Sequence, residues 1–139
     1  MHKFYPLLSR LSLPFFQHRV RAGFPSPADD YLDKRLDLNL HLLPHPSATY
    51  FVRAQGDSMI NFGIFDNDLL VVDRSLEPSH GDVVIAALNG ELTCKVLDLR
   101  NRQLLSGNDL FPPIPLGDDC GLIIEGVISA SIRYHRCLP

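Results

Sequence analysis

The chain has 139 residues, of which 45% are hydrophobic, so it is long enough for one soluble domain with a sizeable core. No apolar run approaches the roughly 18 residues of a membrane-spanning helix, which excludes a membrane protein of that type. The formal net charge of −3 at pH 7 gives no basic face, and direct binding to nucleic acid is therefore not expected.

Residues 1–22 are predicted to form an extended N-terminal arm. Arg10 interrupts their apolar run, whereas the apolar part of a secretory signal is uninterrupted and ends in small residues. We therefore expect no signal peptide and a cytoplasmic location. The arm is also too short for a helix-turn-helix domain, which argues against a DNA-binding repressor. Residues 23–27, Gly-Phe-Pro-Ser-Pro, cannot continue a helix or a sheet ladder and end the arm.

A short amphipathic helix is predicted for the next segment, residues 29–40. Its apolar residues recur at helical spacing: Tyr31, Leu32, Leu36 and Leu40. An aspartate at position 29 or 30 suits the first turn of such a helix. Residues 23–40 are accordingly predicted to form a linker with a short helix, ahead of a β-rich domain in residues 41–139.

Beyond residue 40 the apolar residues follow a period of two, which is typical of strands with one buried face. The predicted strands are residues 49–54, 68–73, 82–88, 91–99, 103–105 and 122–134. The body should therefore be mostly antiparallel β. Residues 108–117 contain three prolines that keep them out of any central strand, so they form a surface loop or a proline-based partner site. The last strand is expected to contribute to the core and to a dimer edge.

Asn89-Gly90 is the sharpest local signal, because a type I′ turn needs positive φ at both central residues. A two-residue turn at this point predicts a hairpin in which Val84 faces Lys95 across the ladder, with Thr93 on the same face as Lys95. Such an apolar setting would lower the pKa of the lysine by disfavouring its charged form. A neutral lysine is a usable general base near pH 7.

Ser58, which follows a Gly-Asp turn, is the candidate nucleophile. A serine hydroxyl reacts poorly until a neighbouring base removes its proton, and Lys95 could do so without any histidine. The residues after Ser58 predict one helical turn that ends at Gly63. The backbone N–H groups of Asp57 and Ser58 would then be free to bind an oxyanion. The alternative role for Ser58 is a helix N-cap.

Four segments have distinctive sequences: Gly-Phe-Pro-Ser-Pro-Ala at 23–28, His-Pro-Ser-Ala-Thr-Tyr-Phe-Val at 45–52, Gly-Asp-Ser-Met-Ile at 56–60 and Ser-His-Gly-Asp-Val-Val-Ile-Ala-Ala at 79–87. They resemble the UmuD and LexA family of self-cleaving serine peptidases, from about Arg21 to the C-terminal strand. The resemblance implies a mostly β, signal-peptidase-type domain. In it Ser58 attacks, Lys95 is the base, and Thr93 holds the lysine amine by a hydrogen bond.

The resemblance also implies the substrate, which is the bond between Ala22 and Gly23 in the same sequence. A small residue before glycine in an exposed arm fits a narrow active-site groove. UmuD typically has Cys-Gly at this place, whereas this chain has the Ala-Gly of LexA. The alternative is an ordinary linker glycine. Cleavage within one molecule or between two copies stays open, because the extended linker could reach either site.

The partners and the biological role follow from the resemblance alone. Family members are cleaved on stimulation by RecA filaments after DNA damage. The processed homodimer then serves a UmuC-like Y-family DNA polymerase in error-prone translesion synthesis, or SOS mutagenesis, and no cofactor is implied. One alternative is a non-catalytic polymerase or RecA adaptor with a vestigial Ser-Lys pair. Another is a fragment of a repressor, against which the start at Met1 and the charge argue.

Cysteines and histidines offer no competing site. Cys94, Cys120 and Cys137 lack Cys-x-x-Cys spacing, which indicates a reducing compartment and neither a disulfide framework nor a zinc site. Cys94 should be buried and face away from Lys95, because adjacent strand residues point to opposite faces. A Ser-His-Asp triad with His80 and a metal site are both disfavoured, since the six histidines are not spaced like ligands on one element.

Overall fold

The computed structural model describes residues 11–16, 20, 23, 32–117 and 121–137. The chain divides into two compact units, Met1–Pro44 and His45–Pro139. Among the described residues, no helix is long and apolar enough to cross a membrane.

The first unit contains a small antiparallel sheet of β1 (Ser12–Phe16) and β2 (Leu32–Asp37), followed by the five-residue helix α1 (Leu38–Leu42). The Asp37 carboxylate accepts a hydrogen bond from the backbone N–H of Asn39 at 2.9 Å and so caps the helix. All five residues of β1 are exposed. The N-terminal arm therefore contains a strand, which the sequence did not indicate.

The prediction of a helix over residues 29–40 is wrong for Leu32–Asp37, which form a strand, and its first three residues lie outside the described part. Leu32 and Leu36 are four residues apart, a spacing that fits a helical face and alternate positions of a strand equally well. Pairing with β1 supplies the backbone hydrogen bonds that decide between them, with Leu36 opposite Leu13.

The second unit is built on one seven-stranded antiparallel sheet, which confirms the predicted mostly antiparallel β body. Its strands are β3 (Thr49–Arg53), β4 (Leu69–Asp73), β5 (Val83–Leu88), β6 (Glu91–Asp98), β7 (Gln103–Leu105), β8 (Ile114–Pro115) and β9 (Leu122–Ile132). Their order across the sheet is β3-β4-β9-β5-β6-β7-β8. The proline-rich loop contributes only the short strand β8 at one edge, in agreement with its predicted exclusion from central positions.

The longest strand, β9, lies inside the sheet: its first half pairs with β5 and its second half with β4. The two ladders meet at Val127, and at the preceding Gly126 a Cβ would lie 2.5 Å from Cγ1 of Val72, so only glycine fits there. The predicted contribution of this strand to the core is confirmed. Its role at a dimer edge stays a prediction.

Side chains that alternate along the strands form two hydrophobic clusters. The first cluster has as its buried members Met59, Ile64, Leu70, Val72, Ile85 and Val96. The second has Val84, Ala86, Leu97, Leu104 and Val127. Met59 follows Ser58 directly, so the first cluster fixes the chain at the candidate nucleophile.

Candidate active site

The hairpin of β5 and β6 has the predicted register, with Val84 opposite Lys95. Asn89 and Gly90 in its turn have φ values of 52° and 84°, as a type I′ turn requires. Lys95 is only 8% exposed and Val84 is fully buried. Thr93 lies on the same face of β6 as Lys95. The sequence therefore predicted the position and the apolar surroundings of this lysine correctly.

Burial lowers the pKa of Lys95, because the charged ammonium loses its hydration, and the neighbouring Cys94 opposes this effect weakly. Among the described residues, no side chain forms a hydrogen bond or an ion pair with the amine. No such bond joins Thr93 to the amine in the described part of the chain, and the supporting role of Thr93 stays a prediction. The neutral form of the amine, which is the state that a general base requires, is therefore more accessible than in an exposed lysine.

Ser58 lies in the connection between β3 and β4, before a short 3-10 turn at Ile60–Phe62. Gly63 ends this turn in the left-handed region at φ 76°, as predicted. The residue at the cap position is Met59, and no side chain caps the turn. The alternative role of Ser58 as an N-cap is therefore wrong, and its half-buried hydroxyl is not used to hold the backbone.

Two residues after β7 hold the chain at Ser58, and neither was predicted from the sequence. The backbone N–H of Gly107 donates to the carbonyl of Ser58 at 2.6 Å, and the carbonyl of Gly107 accepts from Asn61 at 2.7 Å. The side-chain amide of the buried Asn108 donates to the carbonyl of Asp57 at 3.1 Å. The only available signal was the sequence Gly-Asn after a short strand, which is typical of an ordinary turn.

The residues that hold Ser58 follow a strand that pairs with the strand of Lys95. Strand β7 pairs with β6, and this pairing ends where Leu105 lies opposite Val96. Gly107, which holds the Ser58 carbonyl, comes two residues after Leu105. The backbone that holds the candidate nucleophile thus continues directly from the partner strand of β6, which carries the candidate base.

The backbone N–H groups next to Ser58 are available to a ligand. In the described part of the chain, the N–H groups of Asp57 and Ser58 donate to no hydrogen bond. The carbonyls of the same two residues are held by Gly107 and Asn108. Paired free N–H groups beside a nucleophile are what stabilises the negative oxygen of a tetrahedral intermediate.

Ser58 and Thr93 line one cavity of about 360 Å³. Most of its remaining wall is apolar and comes from Val52, Ala54, Leu70, Ile85, Leu92 and Cys94, with Arg53 and Gln55 at the side of β3. One wall thus follows the end of β3 and the other the beginning of β6. Lys95 is the residue after this second wall.

Both walls of this cavity are open strand edges. β3 is the last strand of its sheet, and β7 pairs only with the final three residues of β6. The register of the hairpin directs the N–H and C=O groups of Leu92 and Cys94 away from β5 and towards the cavity. At the end of β3, the backbone N–H and C=O groups of Ala54 form hydrogen bonds on the side of β4. Because these groups point to opposite sides in successive residues of a strand, those of Arg53 are directed outwards. An extended peptide could therefore pair with backbone on both sides.

Cys94 is half-buried and lines the cavity, so it is less buried than the sequence predicted. Burial raises the pKa of its thiol to about 11, which keeps it protonated and unreactive at neutral pH. His80 accepts a hydrogen bond from the N–H of Leu99 at 3.1 Å and lies 3.5 Å from the Asp98 carboxylate. These contacts engage His80 at the far end of β6 and give a Ser-His-Asp triad no support.

No group of three or more His, Cys, Asp or Glu side chains within the described ranges is arranged to hold a metal ion. Of the predicted cleavage site, Ala22 lies outside the described residues and Gly23 is exposed. Both belong to the first unit, and Ser58 belongs to the second.

The described part of the chain is thus a mostly antiparallel β domain with a cavity that Ser58 lines and a buried lysine next to its wall. These features are those expected of a β-sheet peptidase. Comparison with known proteins agrees. The family model described as Peptidase S24-like matches residues 14–129. The chain belongs to this peptidase family.

Several curated proteins are similar along most of their length. Protein ImpA of Salmonella typhimurium is 53% identical over 123 residues, which cover 88% of this chain and 85% of that protein. Protein MucA of Escherichia coli is 45% identical over 126 residues, or 89% and 86% of the two chains. LexA repressor 1 of Xanthomonas campestris pv. campestris is 40% identical over 88% of this chain and 61% of that protein. The chain is therefore a UmuD-like member of the family, and LexA is a more distant relative.

Proposed function

We propose that this chain is a self-cleaving serine peptidase that cuts its own Ala22–Gly23 bond, with Ser58 as nucleophile and Lys95 as general base. The observation that carries the proposal is the burial of Lys95 opposite Val84, on the strand whose partner β7 continues into the Gly107 that holds the Ser58 carbonyl. No described residue pairs with the Lys95 amine, so no structural ion pair accounts for a lysine at this buried position.

The proposed reaction has two steps. Neutral Lys95 takes the hydroxyl proton of Ser58 while the Ser58 oxygen attacks the carbonyl carbon of Ala22. The N–H groups of Asp57 and Ser58 stabilise the resulting oxyanion, and Lys95 returns the proton to the amine of Gly23 as the peptide bond breaks. In the second step Lys95 takes a proton from a water molecule, which attacks the acyl group, and returns it to the Ser58 oxygen as the acyl group is released. Each molecule cuts one bond, so the reaction acts as a switch.

The open-edged cavity is where we propose that the cleavage segment binds as an added strand. Alternate residues of an extended peptide point to the same side, so Val20 and Ala22 would enter the cavity while Arg21 points away from it. The apolar walls from Val52, Ala54 and other side chains suit these two residues. Val20 itself is 87% exposed in the first unit and has no packing of its own to lose.

Val20→Asp should therefore slow self-cleavage by about 10-fold or more, because a charged carboxylate would lose hydration against the apolar side chains of the cavity. Arg21→Asp is the matched control, since it introduces the same side chain one position away and should change the rate far less. Both rates are measured by gel densitometry of purified protein at pH 10. Equal slowing by the two variants would contradict the proposed orientation of the segment.

The proposed cleavage is tested with purified wild-type protein. Incubation at pH 10, where more of Lys95 is neutral, should yield a product of residues 23–139 that begins at Gly23. Intact-mass spectrometry identifies the cut, and incubation at pH 7 provides the slow reference. Ser58→Ala protein treated in parallel must stay intact. An uncut wild-type chain, or a cut at another bond, would rule out this assignment and favour the non-catalytic adaptor.

We further propose that the processed protein acts as a homodimeric accessory subunit of a Y-family DNA polymerase in SOS mutagenesis, with cleavage stimulated by RecA filaments. Membership of the UmuD-like branch of the family supports this role. A purified RecA filament on single-stranded DNA should accelerate the cut at pH 7.5 in the wild type but not in Ser58→Ala protein.

A further inference from the structure

Arg133, which directly follows β9, is bound to the segment that carries Ser58 by four separate contacts. Its guanidinium donates through Nη2 to the carbonyl of Gly63 at 2.8 Å. It also donates to both carboxylate oxygens of Asp68, at 3.1 Å from Nε and 3.0 Å from Nη2. The same group lies over the ring of Phe65, 3.7 Å from its centroid. One side chain thus contacts three residues of the connection between β3 and β4.

The carboxylate of Asp68 needs this partner, because only 2% of Asp68 is exposed. A buried carboxylate without a partner is strongly disfavoured. Asp68 also accepts a hydrogen bond from the N–H of Phe65 at 2.8 Å. Hydrogen bonding from Arg133 lowers the pKa of Asp68, so the ion pair is intact at every pH at which self-cleavage would be assayed. The contact is therefore a permanent part of the folded site.

These contacts reach Ser58 through the backbone of the 3-10 turn. The N–H of Gly63 donates to the carbonyl of Ile60, and the N–H of Ile64 donates to the carbonyl of Met59. The Gly63 carbonyl, at the other end of the same turn, is the acceptor for Arg133. The turn that follows the nucleophile is thus held from its C-terminal side by Arg133, while Gly107 and Asn108 hold its N-terminal side.

We propose that Arg133 is a positioning residue for Ser58: it fixes the turn after the nucleophile so that the hydroxyl and the neighbouring N–H groups keep their geometry relative to Lys95. This inference rests on the proposed self-cleavage. Arg133 does not itself touch the reacting atoms. A neighbouring guanidinium, that of Arg136, forms no hydrogen bond or ion pair with any described residue and provides a matched comparison.

Arg133→Gln should lower the first-order rate of self-cleavage by about 10- to 100-fold, because small misplacements of reacting groups have effects of this size. The pH at which the rate is half-maximal should not move, since the surroundings of Lys95 are unchanged. Arg136→Gln should stay within about twofold of the wild type, as expected for an exposed substitution. Arg133→Lys should be intermediate, because an ammonium can pair with Asp68 but cannot also form the planar fork.

Rates are compared at a temperature at which circular dichroism shows all variants folded. A rate for Arg133→Gln that equals the wild type, or that falls only in proportion to the unfolded fraction, would overturn the positioning role. A shifted half-maximal pH would also overturn it, since Arg133 would then act on the base.

Hydrogen exchange of the amides in residues 56–65 keeps the two proposals apart. Faster exchange in Arg133→Gln than in Arg136→Gln is expected if Arg133 orders the turn, and equal exchange would contradict this. An uncut wild type with faster exchange in Arg133→Gln would reject the proposed function while the ordering of the turn stands. A cut wild type with an unaffected Arg133→Gln would reject only the inference about Arg133.

Discussion

Lys95→Ala should abolish self-cleavage while leaving a folded, full-length protein, and Ser58→Ala should do the same. Loss of a general base slows such reactions by about 100- to 10,000-fold, and loss of the nucleophile removes the covalent route altogether. Incubation at pH 10 followed by intact-mass spectrometry measures the effect, with circular dichroism as the test of folding. Cleavage of Lys95→Ala at the wild-type rate would show that Lys95 is not the general base.

The cleavage rate and the free energy of unfolding should each change with pH in a defined direction. Burial lowers the pKa of Lys95 in the folded protein below the ordinary value of 10.5, so the neutral base and the cleavage rate should both increase as the pH rises through this lowered pKa. At a pH between the pKa of Lys95 in the folded protein and its pKa in the unfolded chain, the unfolded chain binds more protons at this residue. The free energy of unfolding should therefore rise with pH in that window, and below it the charged Lys95 destabilises the fold.

The variant Lys95→Met separates the effect of the buried charge on stability from the role of the lysine in catalysis. Methionine has a similar length and no charge, so at pH 7 the variant should have a higher free energy of unfolding than Ser58→Ala, which retains the lysine and is also uncut. The difference should shrink as the pH rises towards and beyond 10.5, the ordinary pKa, because the lysine then loses its proton in the unfolded chain as well as in the folded protein. Urea denaturation of both variants at pH 7 and pH 10 measures it. A difference that grows with pH would contradict a lowered pKa for the buried lysine.

The sequence predicted the fold best where local chemistry and tertiary pairing agree. Asn89-Gly90 admits one kind of tight turn, and the turn alone determines which residue faces Lys95. The prediction for residues 29–40 failed because Leu32 and Leu36 fit either period, and the partner strand β1 lies in a segment with no clear strand pattern. Long-range pairing decides such segments, and their own composition does not.

The same reasoning explains which parts of the candidate site were predicted. Ser58 and Lys95 stand in short motifs whose residue types state their chemistry. The residues that hold Ser58 do not: Asn108 acts on Asp57 through a carbonyl, and Arg133 acts on Gly63 in the same way. Every residue has a backbone carbonyl, so the identity of the accepting residue does not indicate that such a contact is formed.

Gly107→Ala should have the second large effect, on stability and on cleavage together. A Cβ at position 107 would lie 2.7 Å from Cα of Met59 and 2.7 Å from Cδ2 of Phe62, closer than real Cβ contacts allow. The Phe62 ring can move, but the Met59 backbone cannot move without displacing Ser58. Overpacking of this kind destabilises by about 1–3 kcal/mol, and the shift of the nucleophile should slow self-cleavage by at least about 10-fold.

Gly117→Ala is the matched control, because a Cβ there meets nothing within 4 Å and the residue is exposed. It should leave both the free energy of unfolding and the cleavage rate near the wild-type values. Urea denaturation and the pH 10 cleavage assay measure the pair of variants side by side. If Gly107→Ala cleaved as fast as Gly117→Ala, the close approach of Gly107 to Met59 would not position the nucleophile. Ser58 would then owe its place to the first hydrophobic cluster, to Arg133 and to the hydrogen bonds from residues 107 and 108.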